Sequence, residues 1–255
     1  MVGRASGGGV IRRVGVPPPR AIARPAVLVA AASRALAVAG IFDMHGHVSV
    51  RDGDLAYVNS HGASRIAIRP DEVAVVRVAD GELVEGAPPS EIALHLGIYR
   101  ARRDVGAVAH CHPLFATAFA VAGKPLVTAF NAGTLFGREV AVYDDPLLVR
   151  EDAQARKVAA VLGKGRAALL RGHGVVVAGA DLPECVAAAL ALEESASRLW
   201  HAAALGEPRR FTDAEITRVA EQTSEPRVFR KAWIDALERA RLAGALADID
   251  LASLV

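Results

Sequence analysis

Asp52-Gly53-Asp54 joins two apolar, strand-like runs at 47–51 and 55–58, and this short link constrains the fold more than any other feature of the chain. Parallel neighbours need a crossover of a dozen or more residues, whereas an Asp-Gly turn of this length reverses the chain directly. A third run at 73–78 is bracketed by Asn59-Ser60-His61-Gly62 and Asp80-Gly81-Glu82, again turn chemistry. Further on, strand-like and helical patterns mix. Together these features predict a mixed, largely antiparallel sheet covered by helices and argue against a parallel doubly wound one. Neither G-x-G-x-x-G nor G-x-x-x-x-G-K-[ST] occurs, so nothing marks a nucleotide site.

An alanine-rich helix is expected over 21–38, closed by Gly40. Pro88-Pro89-Ser90 opens a second helix that runs to Arg103, with Glu91 near its positive end. Strands are expected around 108–110 and at 141–143, 167–170 and 175–178; helices are expected at 114–121, 147–162, 182–205 and from about 214 to 240. One domain, 21–255, accounts for all of them. Residues 1–20, rich in Gly, Arg and Pro, read as a disordered lead-in and lack the apolar stretch of a secretory signal. The net charge of +2, with basic residues scattered, argues against a nucleic-acid partner. Cys111 and Cys185 make no disulfide framework and suit a reducing, cytoplasmic setting. No apolar run approaches the roughly 18 residues that a membrane helix requires.

Against this background one set of polar residues stands out. Val108-Ala109-His110 reads as a buried strand, so His110 and His112 share a face and Cys111 points the other way. His173 lies between Gly172 and Gly174, which leave room for close approach. Glu91 supplies a carboxylate. A lone histidine on an apolar strand is more often a packed core residue than a ligand, but several imidazoles buried without partners would be costly. As a set they suit a catalytic divalent-metal site with an open position. His45-Gly46-His47 is a second H-x-H pair, read as a substrate-contacting turn, and His95 lies one helical turn after Glu91.

Ser90-Glu91 with His95, His110-Cys111-His112-Pro113, Gly172-His173-Gly174 and the run Gly46-His47-Val48-Ser49-Val50-Arg51 resemble the class II aldolase/adducin family, in order from about Ala21 to Leu205. The resemblance implies a three-layer α/β/α sandwich and a homo-oligomer, usually a tetramer. It further implies one divalent ion per subunit on His110, His112 and His173, with Glu91 as a resting ligand or acid/base. Zinc leads, and manganese, cobalt or iron(II) suit the same donors.

The departures from the family pattern narrow the chemistry. The family's sugar-phosphate aldolases carry Asn where this chain has His47, and a serine where it has Pro89, which offers neither hydroxyl nor N–H. No tyrosine occurs in Leu126-Val127-Thr128-Ala129-Phe130-Asn131, where those aldolases place a proton donor. The stretch Phe42-Asp43-Met44-His45-Gly46-His47 is similar to the family's decarboxylases of carboxylated catechols and ring-fission products. The expectation is a metal-dependent decarboxylase of a carboxylated small molecule, with His45, His47, Ser60, His61, Arg65 and Ser90 contacting substrate. A sugar or sugar-acid aldolase or epimerase is the first alternative, and a non-catalytic adducin-like scaffold the second.

Overall fold

The computed structural model describes residues 23–250 and 254, and the reading of residues 1–20 falls outside the described residues. Eight strands form one sheet: β1 (His47–Asp52), β2 (Leu55–Asn59), β3 (Val73–Arg77), β4 (Leu83–Glu85), β5 (Ala107–Cys111), β6 (Ala141–Tyr143), β7 (Ala167–Leu170) and β8 (Gly174–Gly179). Their spatial order is β4-β3-β2-β1-β5-β8-β7-β6, and every neighbouring pair is antiparallel except β6–β7. The Asp-Gly link makes the expected hairpin, with Asp52 paired to Leu55.

Helices cover both faces. Alternate residues such as Val48, Ala109, Leu169 and Val177 pack beneath α1 (Arg24–Val38), α5 (Leu182–Leu205) and α7 (Pro226–Leu242). The intervening residues Val108, Leu170 and Val176 pack beneath α2 (Ile92–Ala101) and α4 (Asp152–Leu162). The mixed, largely antiparallel sheet is as the sequence pattern predicts, and the α/β/α layering is as the family resemblance implies. Among the described residues no helix is long and apolar enough to cross a membrane.

In three places the structure differs from expectation by more than a residue or two. Helix α4 starts at Asp152 rather than 147, because Glu151 and Gln154 form a reciprocal cap and leave Leu147 and Leu148 in an exposed lead-in. The single helix expected over about 214–240 is two, α6 (Asp213–Thr223) and α7. Pro226 cannot continue a helix from the preceding turn, but it suits the first turn of the next, with Glu225 as its N-cap. The three-residue β4 is exposed throughout and carries too short a pattern to announce itself.

Candidate metal centre

Strand register brings the first imidazoles together. His110 on β5 pairs with His47 on β1, and His112 follows just past the end of β5. Cys111 packs in the opposite layer, as the alternation requires. His110 is fully buried, and its Nδ1–H donates to the Val175 carbonyl at 2.9 Å. That bond fixes the tautomer and leaves the Nε2 lone pair free. His112 donates from Nδ1 to Asp43 Oδ1 at 3.1 Å, with the same consequence. Asp43 also accepts from the backbone N–H groups of His45 and Gly46. Burial works to raise the Asp43 pKa, but these donors, His112 foremost, hold it below its ordinary value.

His173 sits in the turn between β7 and β8. Gly172 takes a φ of +65°, a left-handed conformation that favours glycine. At Gly174 a Cβ would come within 2.5 Å of His112 Cδ2 and 2.6 Å of the Cys111 carbonyl, so only glycine lets this turn close over the site. His173 Nε2 lies 3.2 Å from His110 Nε2, while His173 Nδ1 is buried with no hydrogen-bond partner among the described residues.

Glu91 is the N-cap residue of α2. Its Oε1 accepts from the Val149 N–H at 2.8 Å, and its Oε2 stands 3.6 Å from His110 Nε2 and 3.5 Å from His173 Nε2. Burial alone would raise its pKa. The hydrogen bond with His173, the neighbouring His110 and the Val149 N–H outweigh burial and bring it to about 2. Glu91 is therefore a carboxylate at neutral pH.

The donor set fits a divalent ion. Ligand nitrogens of His110, His112 and His173 all lie within 4.8 Å of one another, and tetrahedral ligands about 2.1 Å from an ion sit roughly 3.4 Å apart. A second group, His47 with Glu91 and His110, meets the same distance limit.

A cavity of about 690 Å³ opens over these residues, a size typical of small-molecule sites. His45, His47, His61, Arg65 and Ser90 line it together with Glu91, His112 and His173, and Asp43 and Arg150 complete its polar wall. Ser60 is not part of the lining. Its carbonyl, with that of Ala63, accepts from Arg65 Nη1 at 3.0 and 2.6 Å, so Arg65 is partly committed to its own loop. His95 does not touch the Glu91 carboxylate; it bonds His47 and Ser49 instead. Sequence reasoning missed Asp43, whose only signal was its place two residues before His45, and Tyr99, which follows His95 by one helical turn.

The family profile of the class II aldolase and adducin N-terminal domain matches residues 27–200. A 3,4-dihydroxyphthalate decarboxylase from Terrabacter sp. is 32% identical over 194 residues, covering 70% of this chain and 81% of the relative. An L-fuculose phosphate aldolase from Methanocaldococcus jannaschii is also 32% identical, over 155 residues, covering 59% of this chain and 81% of that protein. Among solved structures, an L-fuculose 1-phosphate aldolase superposes with a TM-score of 0.75 at 25% identity, over 80% of this chain and 98% of its own.

Proposed function

The chain belongs to the class II aldolase and adducin family, and from that premise we propose that it is a divalent-metal-dependent decarboxylase of a carboxylated catechol or ring-fission product from aromatic breakdown. The observation that carries this reading is the cavity wall. It sets Glu91 and His173 beside His47 and Arg65, and it has Pro89 where a phosphate cradle would need a hydroxyl. His110, His112 and His173 would hold the ion, zinc first, with Glu91 completing the set at rest. When bound, such an ion supplies Lewis-acid stabilisation of the charge that develops on substrate oxygen as the carbon–carbon bond breaks.

The protein's own groups manage binding and the proton. Arg65 and His47 face the substrate carboxylates, with His45, His61 and Ser90 nearer the mouth and Ser60 bracing Arg65. Glu91, ionised at neutral pH, takes a proton from a substrate hydroxyl at Oε2. It returns that proton to the carbon from which carbon dioxide has left, and the substrate oxygen, left as an oxyanion, takes one proton from water as product leaves. That is the proton every carboxylate decarboxylation consumes, and no electron is exchanged. The same reading takes residues 21–255 as one domain working as a homo-oligomer, with a tetramer as the expected size.

A second reading, an aldolase of a sugar or sugar acid, is favoured by the equal 32% identity to the Methanocaldococcus protein. Zinc-loaded protein should be given 3,4-dihydroxyphthalate and L-fuculose 1-phosphate in parallel, with carbon dioxide and aldehyde measured separately. Carbon dioxide release that falls at least about 100-fold in Glu91→Gln is the expected result. Aldehyde without carbon dioxide would replace the decarboxylase with the aldolase. Neither product, with metal content unchanged by His110→Ala, would favour an adducin-like scaffold.

A further inference from the structure

Behind the ligand cluster lies a line of buried polar groups that the reaction above leaves unused. Tyr99 Oη and Ser49 Oγ are 2.7 Å apart, Ser49 Oγ and His95 Nδ1 are 2.7 Å apart, and His95 Nε2 and His47 Nδ1 are again 2.7 Å apart. Tyr99 and His95 lie one turn apart on α2; Ser49 and His47 lie two residues apart on one face of β1. All four are buried, and the line ends at the cavity wall, which His47 helps to form.

Counting hydrogens fixes the direction of this chain. A neutral imidazole carries one N–H and one lone pair. If Tyr99 donates to Ser49, then Ser49 donates to His95 Nδ1 and His95 donates from Nε2 to His47 Nδ1. His47 then keeps its hydrogen on Nε2. In the reverse order the Tyr99 hydroxyl hydrogen has no acceptor among the described residues. A second proton on either imidazole reverses part of the chain and strands the same hydrogen. A buried donor without a partner is the costlier error, so the forward order prevails.

We infer that Tyr99, Ser49 and His95 are positioning residues that lock His47 as a neutral Nε2–H donor facing the cavity, where it binds an anionic oxygen of the substrate carboxylate. The inference rests on the carboxylated-substrate reading for its ligand, but not for the tautomer. Two consequences follow from the locked hydrogen. His47 has no lone pair on Nε2, so it cannot serve as the base, which leaves that duty to Glu91. It also offers an ion no free donor atom while that hydrogen is in place. The ligand group of His47 with Glu91 and His110 would have to displace that hydrogen before an ion could bind there.

The test uses full-length, metal-free, substrate-free protein labelled with 15N at histidine, with ring signals assigned through His47→Gln and His95→Gln. Two-bond proton–nitrogen correlations at neutral pH should show His47 and His95 as Nε2–H tautomers. An Nδ1–H tautomer or an imidazolium at His47 would overturn the inference without touching the lyase reading. In Ser49→Ala the His47 signals should split or shift toward the Nδ1–H form; unchanged signals would show that the hydroxyls do not set the tautomer. In metal-loaded protein, His47→Leu should raise KM for the carboxylated substrate about tenfold, as loss of one charge-assisted hydrogen bond does. His47→Gln, whose amide both accepts from His95 and donates to the cavity, should recover most of that loss. Metal content should be unchanged in both variants, and a drop in either would make His47 a ligand and defeat the inference. Absence of carbon dioxide release with the tautomer intact would instead defeat the decarboxylase reading alone.

Discussion

The two faces of the central sheet are built from alternate residues of the same strands, yet they differ in kind. On β5, Ala109 points into the layer beneath α1, α5 and α7, and His110 points into the layer beneath α2 and α4; both are fully buried. On β1, Val48 lies on the first face and Ser49 on the second, again both fully buried. The first face packs aliphatic side chains, and its role is to exclude water. The second face packs aliphatic side chains too but also gives core volume to imidazoles, hydroxyls and a carboxylate, whose burial is offset where they are bonded to specific partners. Depth therefore does not separate scaffold from site in this molecule. What the buried atom is bonded to does.

The largest expected effect tests the apolar face. Leu169 is fully buried there, and Leu169→Ala should lower unfolding free energy by roughly 2–5 kcal/mol, read from the denaturant midpoint. Metal affinity should be unchanged. The complementary variant is Asp43→Asn, which keeps an oxygen for the turn N–H groups of His45 and Gly46 but removes the charge that His112 meets. Its metal affinity, measured by competition with a chelating dye, should weaken about tenfold or more, with little change in stability. If both variants lose stability and metal binding in the same proportion, the two faces are one cooperative unit and the contrast fails.

Much of this contrast could be read from the chain. Strand alternation placed His110 and Cys111 on opposite faces, and the glycines around His173 announced a close approach that Gly174 makes against His112. The Asp-Gly link set the antiparallel start of the sheet. The polar line from Tyr99 to His47 was not legible. Helical spacing puts Glu91, His95 and Tyr99 on one side of α2, but nothing local says that β1, some 50 residues earlier, presents Ser49 and His47 to that side. Only the pairing of β1 with β5 supplies that information. Asp43 escaped for a related reason: it is an exposed turn residue whose importance depends on His112, which is brought to it only by the fold. Local patterns revealed which residues could be functional, and long-range register decided which of them met.

A third expected effect, a slope in place of a single step, separates the faces by their response to acid. Burial lowers the His95 pKa from the ordinary 6.5 to about 3, against a smaller opposing influence of Glu91. Between those values the unfolded chain holds a proton that the folded chain does not, so stability falls as pH drops from 6.5 toward 3 and is fully present above that window. One such group contributes a slope of up to about 1.4 kcal/mol per pH unit. Metal-free protein should therefore lose stability steadily between about pH 6 and pH 4, measured as urea midpoints across that range. His95→Gln should flatten the slope by up to that amount, because it removes the titrating ring while leaving polar atoms for Ser49 and His47. Leu169→Ala should instead displace the whole curve downward and keep it parallel to that of the native chain, since a cavity carries no proton. If the His95→Gln curve is merely displaced and parallel, the ring is not held neutral by burial. The polar face would then be stabilised in the same way as the apolar one.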